Sequence, residues 1–506
     1  MSNILQLHEV DNVGICKVSL PAGTHLINSP IALIDEVPAL HKVALRDIAV
    51  GEAIMKYGQI MGFAKQFIAA GKHVHTHNCV MGDADKDYGF CSKAKPTDFI
   101  PEAQRATFRG YRRASGRVGT RNYIGILTTV NCSATVARAI AQHFTYSGEL
   151  KNYSNIDGVV ALTHETGCGM SSDGEGYETL RRTFDGYARH PNFGGVMMVG
   201  LGCETMQVQR VMQESGLAQN STFCAFTIQD TGGTRVSIEK GIATLRDMLP
   251  LVNLAQRELV PANELMIGLQ CGGSDALSGV TANPALGIAG DILIRHGGTV
   301  ILSETPEIYG AEHLLTQRAS SPEIAEQLLA RIIWWEDYTA RNNVELNNNP
   351  SPGNKAGGLT TIMEKSLGAQ AKSGSTNLNG VFLYAQQIAT KGLVFMDSPG
   401  YDPVSATGQV ASGAQIICFT TGRGSAFGCK PAPCIKFSSN TPLYERMKED
   451  IDINCGGVID GELSLYQCGE KIFQEILNIA SGEATKSELL GYGDNEFTPW
   501  KIGAVI

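Results

Sequence analysis

YIGILTTVNC, residues 123–132, is an apolar run that ends in a cysteine. Three further stretches repeat its form: VVALTHETGC (159–168), GVMMVGLGC (195–203) and LMIGLQC (265–271). Short runs rich in Val, Ile, Leu and Thr and closed by Gly or Asn predict buried strands rather than helices. Between them lie stretches of helical spacing, SATVARAIAQHFTYSGEL (133–150) and YETLRRTFDGYARHP (177–191). Such alternation signals βαβ units and a mostly parallel sheet. The carboxyl ends of parallel strands border the crevice in which open α/β sheets build their sites. Cys132, Cys168, Cys203 and Cys271 are therefore expected at a metal or thiol site. Packing as a small hydrophobe is the alternative for any one of them.

Upstream, VGICKVSL (13–20), KYGQIMGFA (56–64) and HVHTHN (73–78) are separated by turn signals, so residues 1–82 read as an all-β unit. Residues 83–107 are polar and aperiodic and read as a linker or surface arm. Two α/β regions follow, 108–258 and 259–506. The second carries the strands GTVILSE (298–304), GLVFMD (392–397) and AQIICFTTG (414–422) and the helix SPEIAEQLLARIIWWEDYTARN (321–342).

With 43% hydrophobic and 18% charged residues, the 506-residue chain has a globular composition. No apolar run is long enough to span a membrane, and the start lacks a secretory pattern, so a cytoplasmic location is expected. Thirteen cysteines, an odd number without a disulfide-scaffold spacing, fit a reducing compartment. A net charge of −9 argues against nucleic acid as a partner.

Three tracts carry chemistry. In CGGSDALSGVTANP (271–284) two glycines after a strand bring backbone amides to a bound group, with Ser274 and Asp275 as ligands or helix caps. In NPSPGNKAGG (349–358) a Gly- and Pro-dense loop holds Asn354 and Lys355 ahead of a helix expected from Leu359, an arrangement that attracts carboxylates. In ICFTTGRGSAFG (417–428) a Gly-Arg-Gly turn presents Arg423 as a bidentate carboxylate clamp. His164 and Glu204 lie beside thiols, and His164 is a candidate metal ligand or base. His73, His75 and His77, at spacing two on an expected strand, point to one face and suit metal binding or proton transfer. No dinucleotide or P-loop fingerprint is present, so no nucleotide cofactor is expected.

GRVGTRN (116–122), THETGCGM (163–170), GLGCE (200–204), CGGSDALSGVTANP, SETPEIYGAEHLL (303–315), NPSPGNKAGG and FTTGRG (419–424) together resemble the altronate/galactarate dehydratase family, nearly end to end and in the same order. The resemblance implies an N-terminal SAF-type β-clip domain followed by two α/β regions. It also implies a divalent metal, usually iron(II), with manganese(II) as a substitute. The implied reaction removes water from a six-carbon sugar acid to leave a 2-keto-3-deoxy acid. HVHTHN resembles the altronate branch, which is favoured; galactarate is the alternative, and a sulfolactate sulfo-lyase-like activity a third. A sugar-acid-binding protein without catalysis is the non-enzyme alternative.

On this reading Cys132, Cys168, Cys203, Cys271 and Glu204 lie at the metal, with an iron–sulfur cluster as the rival arrangement. Arg423, Lys355, Asn354, Ser274 and Asp275 hold the substrate. His164, Lys355, His75 and His77 supply acid and base. A homo-oligomer, a dimer, is expected.

Overall fold

The computed structural model describes residues 3–27, 29–82 and 86–505. The first three residues of the expected linker, 83–85, lie outside them. Two small antiparallel sheets form the N-terminal unit. One joins Ile4–Leu5, Val13–Cys16, Lys42–Ala44 and His73–Val74; the other joins Ala53–Lys56, Gln59–Ala64 and Cys79–Val80. Residues 86–106 then run as an arm along the C-terminal region: Lys93 N donates to Gln317 O at 2.7 Å and Ile100 N to Arg295 O at 2.8 Å.

All four cysteine-ended runs form strands. In the middle region β1 (Tyr123–Thr128), β2 (Gly158–Leu162), β3 (Phe193–Gly200) and β4 (Phe223–Thr227) make a parallel sheet of order β2-β1-β3-β4. Every residue of β1 is buried, which is why it reads as a continuous apolar run without alternation. Helices α1 (Ala134–Ser147), α2 (Gly174–Ala188) and α3 (Thr234–Val252) accompany these strands.

In the C-terminal region seven parallel strands follow: β5 (Met266–Cys271), β6 (Thr299–Leu302), β7 (Leu378–Phe382), β8 (Gly392–Met396), β9 (Ile416–Thr421), β10 (Cys434–Ser438) and β11 (Ile453–Asn454). Their order is β7-β8-β6-β5-β9-β10-β11. The longer helices here are α4 (Ala282–Arg295), α5 (Pro322–Arg341), α6 (Ile362–Gln370), α7 (Asp402–Ser412) and α8 (Leu465–Ala480). The chain builds outward from β5 to one side, then returns to add β9 on the other. The C-terminal ends of β5 and β9 therefore flank a topological switch point, and β1 and β3 do so in the smaller sheet.

A third sheet ties the two regions together. Thr107–Arg112 leads into the middle region, Arg257–Pro261 leads out of it, and the two pair antiparallel, with Tyr111 opposite Arg257 and Thr107 opposite Pro261. The two parallel sheets also share one hydrophobic core, in which Leu127, Phe184 and Met198 join Tyr384, Val410 and Phe419. At its centre α2 lies along α7 in the same sense. Arg182 Nε donates to Tyr384 O, the Tyr384 hydroxyl donates to Val404 O near the start of α7, and a Cβ on Gly186 would strike the Ala411 backbone near the end of both helices. Each helix runs antiparallel to the strands of its own sheet. Both sheets therefore present their C-terminal edges on one side of the molecule.

Candidate active site at the strand ends

The loops after β5 and β9 are knit together at the larger switch point. Gly273 has φ +63°, and its carbonyl accepts from Gly422 N at 3.1 Å and Arg423 N at 2.9 Å. A side chain at Gly422 would collide with Asp275 Cγ, so the turn that carries Arg423 needs glycine there. Arg423 is exposed and Lys355 half-buried, and among the described residues neither makes an ion pair. Two cations free of ion pairs beside this turn could receive an anion. Lys355 sits on the short helix Pro352–Ala356, capped by Ser351, and the following helix starts at Ile362 rather than Leu359 because Thr361 supplies its cap.

Ser274, Asp275 and Asn354 surround this point but are largely spent on bracing it. The Asp275 carboxylate accepts from Leu277 N (3.1 Å), Ser278 N (2.8 Å), Ser278 Oγ (2.9 Å), Ser439 Oγ (2.9 Å) and Asn440 Nδ2 (3.0 Å). Asn354 Nδ2 donates to Ser274 O at 2.9 Å. Ser274 Oγ stands 2.6 Å from Cys271 Sγ, which is buried.

Behind them lies a group of buried charges that the sequence reading passed over: Glu304, Glu307, Lys365, Lys372 and Asp402. A Cβ at Gly272 would come 2.6 Å from Asp402 Oδ2, which joins this group to the Cys271 turn. Lys365 Nζ binds Glu307 Oε1 at 2.5 Å and Asn349 Oδ1 at 2.8 Å; Lys372 Nζ is 3.8 Å from Glu304 Oε2. Glu304 Oε1, Glu304 Oε2 and Glu307 Oε2 are buried and have no hydrogen-bond partner.

Glu304, the residue that ends GTVILSE, holds a left-handed φ of +70°, a strained conformation of the kind that clusters at functional sites. Burial, then the charge of Glu307, pushes its pKa well above the carboxylate range. Glu307 is buried too, but the ammonium groups of Lys365 and Lys372 outweigh burial and hold it low. Asp402 is pushed up to about 6, chiefly by burial and secondarily by Glu307. Two neighbouring carboxyls with pKa values driven apart make an acid and a charged partner. The signal available in the sequence was an acidic pair, Glu304 and Glu307, placed directly after an apolar strand.

The N-terminal unit covers this edge. Its Lys42 and Lys56 reach Glu364 of α6 at 2.9 and 2.8 Å, all three side chains being buried. HVHTHN is a strand only at His73–Val74; a turn follows, closed by Asn78 Oδ1 on His75 N. The imidazoles nevertheless gather with His41: ring centroids are 4.7 Å apart for His41–His75 and 5.3 Å for His73–His77. His75 Nε2 contacts Lys355 O at 3.0 Å and His41 Nε2 contacts Ala356 O at 3.3 Å. Burial, reinforced by neighbouring positive charge, lowers His73 and His75 to about 4, so both are neutral near pH 7.

The four predicted thiols fall on two sheets. Cys271 ends β5, whereas Cys132, Cys168 and Cys203 are exposed on the loops after β1, β2 and β3. His164 and Glu204 brace those three loops. His164 Nε2 meets Thr128 O at 2.9 Å while its Nδ1 accepts from Thr166 N at 3.2 Å, and burial lowers it to about 4. Glu204 accepts from Thr129 Oγ1 (2.7 Å), Leu201 N (3.2 Å) and Gly202 N (2.6 Å). Among the described residues no three His, Cys, Asp or Glu side chains are gathered as ligands of one metal ion. The Glu304–Glu307 group has vacant oxygens, but two lysines already neutralise it, so a mononuclear dication does not fit there.

Three family models match the chain in succession: the altronate/galactarate dehydratase SAF domain over residues 2–82, the second domain of D-galactarate dehydratase/altronate hydrolase over 110–253, and the D-galactarate/altronate dehydratase C-terminal domain over 262–505. Among curated relatives, the altronate dehydratase of Bacillus subtilis is 34% identical over 96% of this chain and 97% of its own length. The galactarate dehydratase (L-threo-forming) of Escherichia coli is 38% identical over 95% of this chain and 93% of its own. The altronate dehydratase of the same organism is 36% identical over 96% of each.

Proposed function

As the chain belongs to the altronate/galactarate dehydratase family, a family of hydro-lyases, we propose that it dehydrates a six-carbon sugar acid, D-altronate, to a 2-keto-3-deoxy acid and water. D-galactarate is the second reading, favoured by the 38% identity to a galactarate dehydratase. One observation carries the proposal. A strained, buried Glu304, its carboxylate oxygens without a hydrogen bond and only the distant Lys372 ammonium at 3.8 Å, lies with Glu307 behind the turn where unpaired Arg423 stands.

Arg423 and Lys355 hold the substrate carboxylate, and the Cys271–Ser274 turn with Asn354 orients its hydroxyls; Asp275 fixes the turn. The dianion formed when the proton beside a carboxylate leaves is unstable in water, so fixed cations must meet its charge as it develops. Lys365 and Lys372 add to that field from within. Glu304, kept protonated by burial, donates to the departing C3 hydroxyl. His77 takes the C2 proton: it faces solvent beside His73, while His75 is anchored on the Lys355 carbonyl. His164 serves the thiol loops. Iron(II), or manganese(II) in its place, would supply a Lewis acid to the carboxylate and hydroxyl, but no set of the described residues is gathered to hold it, and none of these steps is routed through it.

We propose a homodimer and a cytoplasmic location. No helix among the described residues is long and apolar enough to cross a membrane, and all thirteen cysteines are free thiols. The test is an anaerobic assay of the iron-supplemented protein on D-altronate, D-galactarate and sulfolactate. A keto acid from either sugar acid supports the reading. Sulfite from sulfolactate alone, or tight sugar-acid binding without turnover, overturns it.

A further inference from the structure

Asp275 and Asp397 border the loops of the larger switch point and are spent on holding them. Asp275 accepts from Ser278, Ser439 and Asn440, and Asp397 accepts from Thr305 Oγ1 at 2.5 Å and Trp335 Nε1 at 2.8 Å. Asp402, the first residue of α7, differs from both. Its carboxylate makes no hydrogen bond and no ion pair among the described residues. An acid at a helix start often serves only to meet the dipole. Here the side chain caps none of the helix amides, and Oδ2 stands 2.6 Å from the place a Cβ on Gly272 would take.

Gly272 and Gly273 open one turn to two opposite charges. Without a side chain, Gly272 admits the Asp402 carboxylate and the edge of the Phe419 ring, whose Cζ lies 2.5 Å from the same Cβ position. One residue on, the Cβ position of Gly273 is 3.4 Å from Arg423 Cβ, and the Gly273 carbonyl holds Arg423 N at 2.9 Å. Adjacent α-carbons are about 3.8 Å apart, so a free carboxylate and a free guanidinium meet the turn at neighbouring points. Glu304 and Glu307 are buried, whereas Asp402 is half-buried and so lies outermost of these carboxyls. Just before it, the Cβ position of Gly400 is 3.2 Å from Glu307 Cγ, so this loop stands between the buried charges and the turn. Its pKa, raised to about 6, leaves Asp402 mostly ionised near pH 7. Partial burial of a charged, unpartnered carboxylate is costly unless a ligand supplies the partner.

We propose that Asp402 binds the hydroxyls on the two carbons next to the substrate carboxylate, so that the turn grips a vicinal dihydroxy acid between Arg423 and Asp402. The proposal deepens the dehydratase reading and rests on it for the identity of the acid. An ionised carboxyl only accepts, and its two oxygens take two hydroxyl donors side by side. Hydrogen bonds to an ionised group are roughly twice as strong as neutral ones. Asp402 therefore selects acids that carry both hydroxyls over deoxy acids with the same carboxylate. Such selection is large where the analogue would leave the site's polar group bare.

KM and kcat are measured on D-altronate, or on D-galactarate where that is the acid turned over. The inhibition constant of the 2,3-dideoxy analogue, which keeps the carboxylate and lacks both hydroxyls, is measured beside them. In the native chain the analogue should bind about 10–100-fold more weakly than the substrate; equal affinity would overturn the proposal without any variant. Asp402→Asn should raise KM by the same factor and leave the inhibition constant unchanged, with unaltered circular dichroism, and Asp402→Ala should follow it. Arg423→Met should weaken both ligands. Equal weakening of both by the Asp402 variants, a lower kcat at unchanged KM, or unaltered kinetics would also overturn it. A native chain that forms no keto acid from any sugar acid sinks the dehydratase reading. The same comparison, read as calorimetric Kd for D-altronate and the dideoxy acid, then still decides for or against Asp402.

Discussion

Glu364→Ala removes the carboxylate that joins the N-terminal unit to the rest of the chain. Two buried ammonium groups, Lys42 at 2.9 Å and Lys56 at 2.8 Å, meet on it, and Thr360 donates to it through its amide (2.9 Å) and its hydroxyl (2.7 Å). Burial works against this charge, but the two lysines outweigh it and lower Glu364 to about 2. Burial also lowers Lys42, so part of the attraction only offsets desolvation. Breaking one buried pair by deleting a partner costs about 3–5 kcal/mol, because the surviving charge is stranded. Two stranded ammoniums here place the loss at or above about 3 kcal/mol, more than a hundredfold in the docking equilibrium.

The assay is calorimetric unfolding together with amide exchange at residues 41–44 and 73–79. The variant should show an earlier transition and faster exchange in those segments, with β5 and β9 unaffected. The sign with pH follows from the lowered carboxylate. Its stabilisation is complete above the unfolded pKa of about 4.3 and is lost as pH falls toward 2. Acid should therefore loosen this contact in the native chain and change the Ala variant less. Unchanged exchange in Glu364→Ala at neutral pH would refute the reasoning.

Glu304→Gln should lower kcat by about 10²–10⁴-fold with little change in KM. In the native enzyme activity should fall as pH rises through the raised pKa of Glu304, and that alkaline limb should vanish in the variant. Arg423→Met should raise KM by about 10²-fold, the worth of a lost charge-assisted pair, with unchanged circular dichroism; unaltered kinetics would remove Arg423 from the site. Gly422→Ala should cost about 1–3 kcal/mol of stability, as overpacking does, because its Cβ meets Asp275 Cγ; a neutral thermal shift would contradict the glycine argument.

The strands were legible because buried parallel strands read as continuous apolar runs; β5 ends at its cysteine, whereas β1, β2 and β3 stop at Thr128, Leu162 and Gly200, before the loops that carry theirs. Which sheet each cysteine falls on was not legible. The runs of Cys203 and Cys271 look alike, but a thiol's neighbours are set by strand order, and the antiparallel ribbon between them puts the second on another sheet. His164 and Glu204 were read by type as ligand or base, whereas their backbone partners, invisible in a sequence, occupy them in bracing. Glu304 was missed for the converse reason. An acidic residue at the end of a strand reads as a solvated loop position, and only the packing of Lys365, Lys372 and Asp402 around it shows otherwise. The helix after Lys355 began later than expected because two hydroxyl residues, Ser351 and Thr361, cap separate turns.

The ribbon of Thr107–Arg112 and Arg257–Pro261 makes everything between them a parenthesis in the polypeptide. Where the chain departs and where it returns are neighbours, one interstrand spacing of about 5 Å apart. A short turn could rejoin the cut ends, but excising the insert would lay bare the half of the shared core that Tyr384, Val410 and Phe419 supply. The closure of the chain is thus local to the ribbon, while the docking of the insert rests on the core.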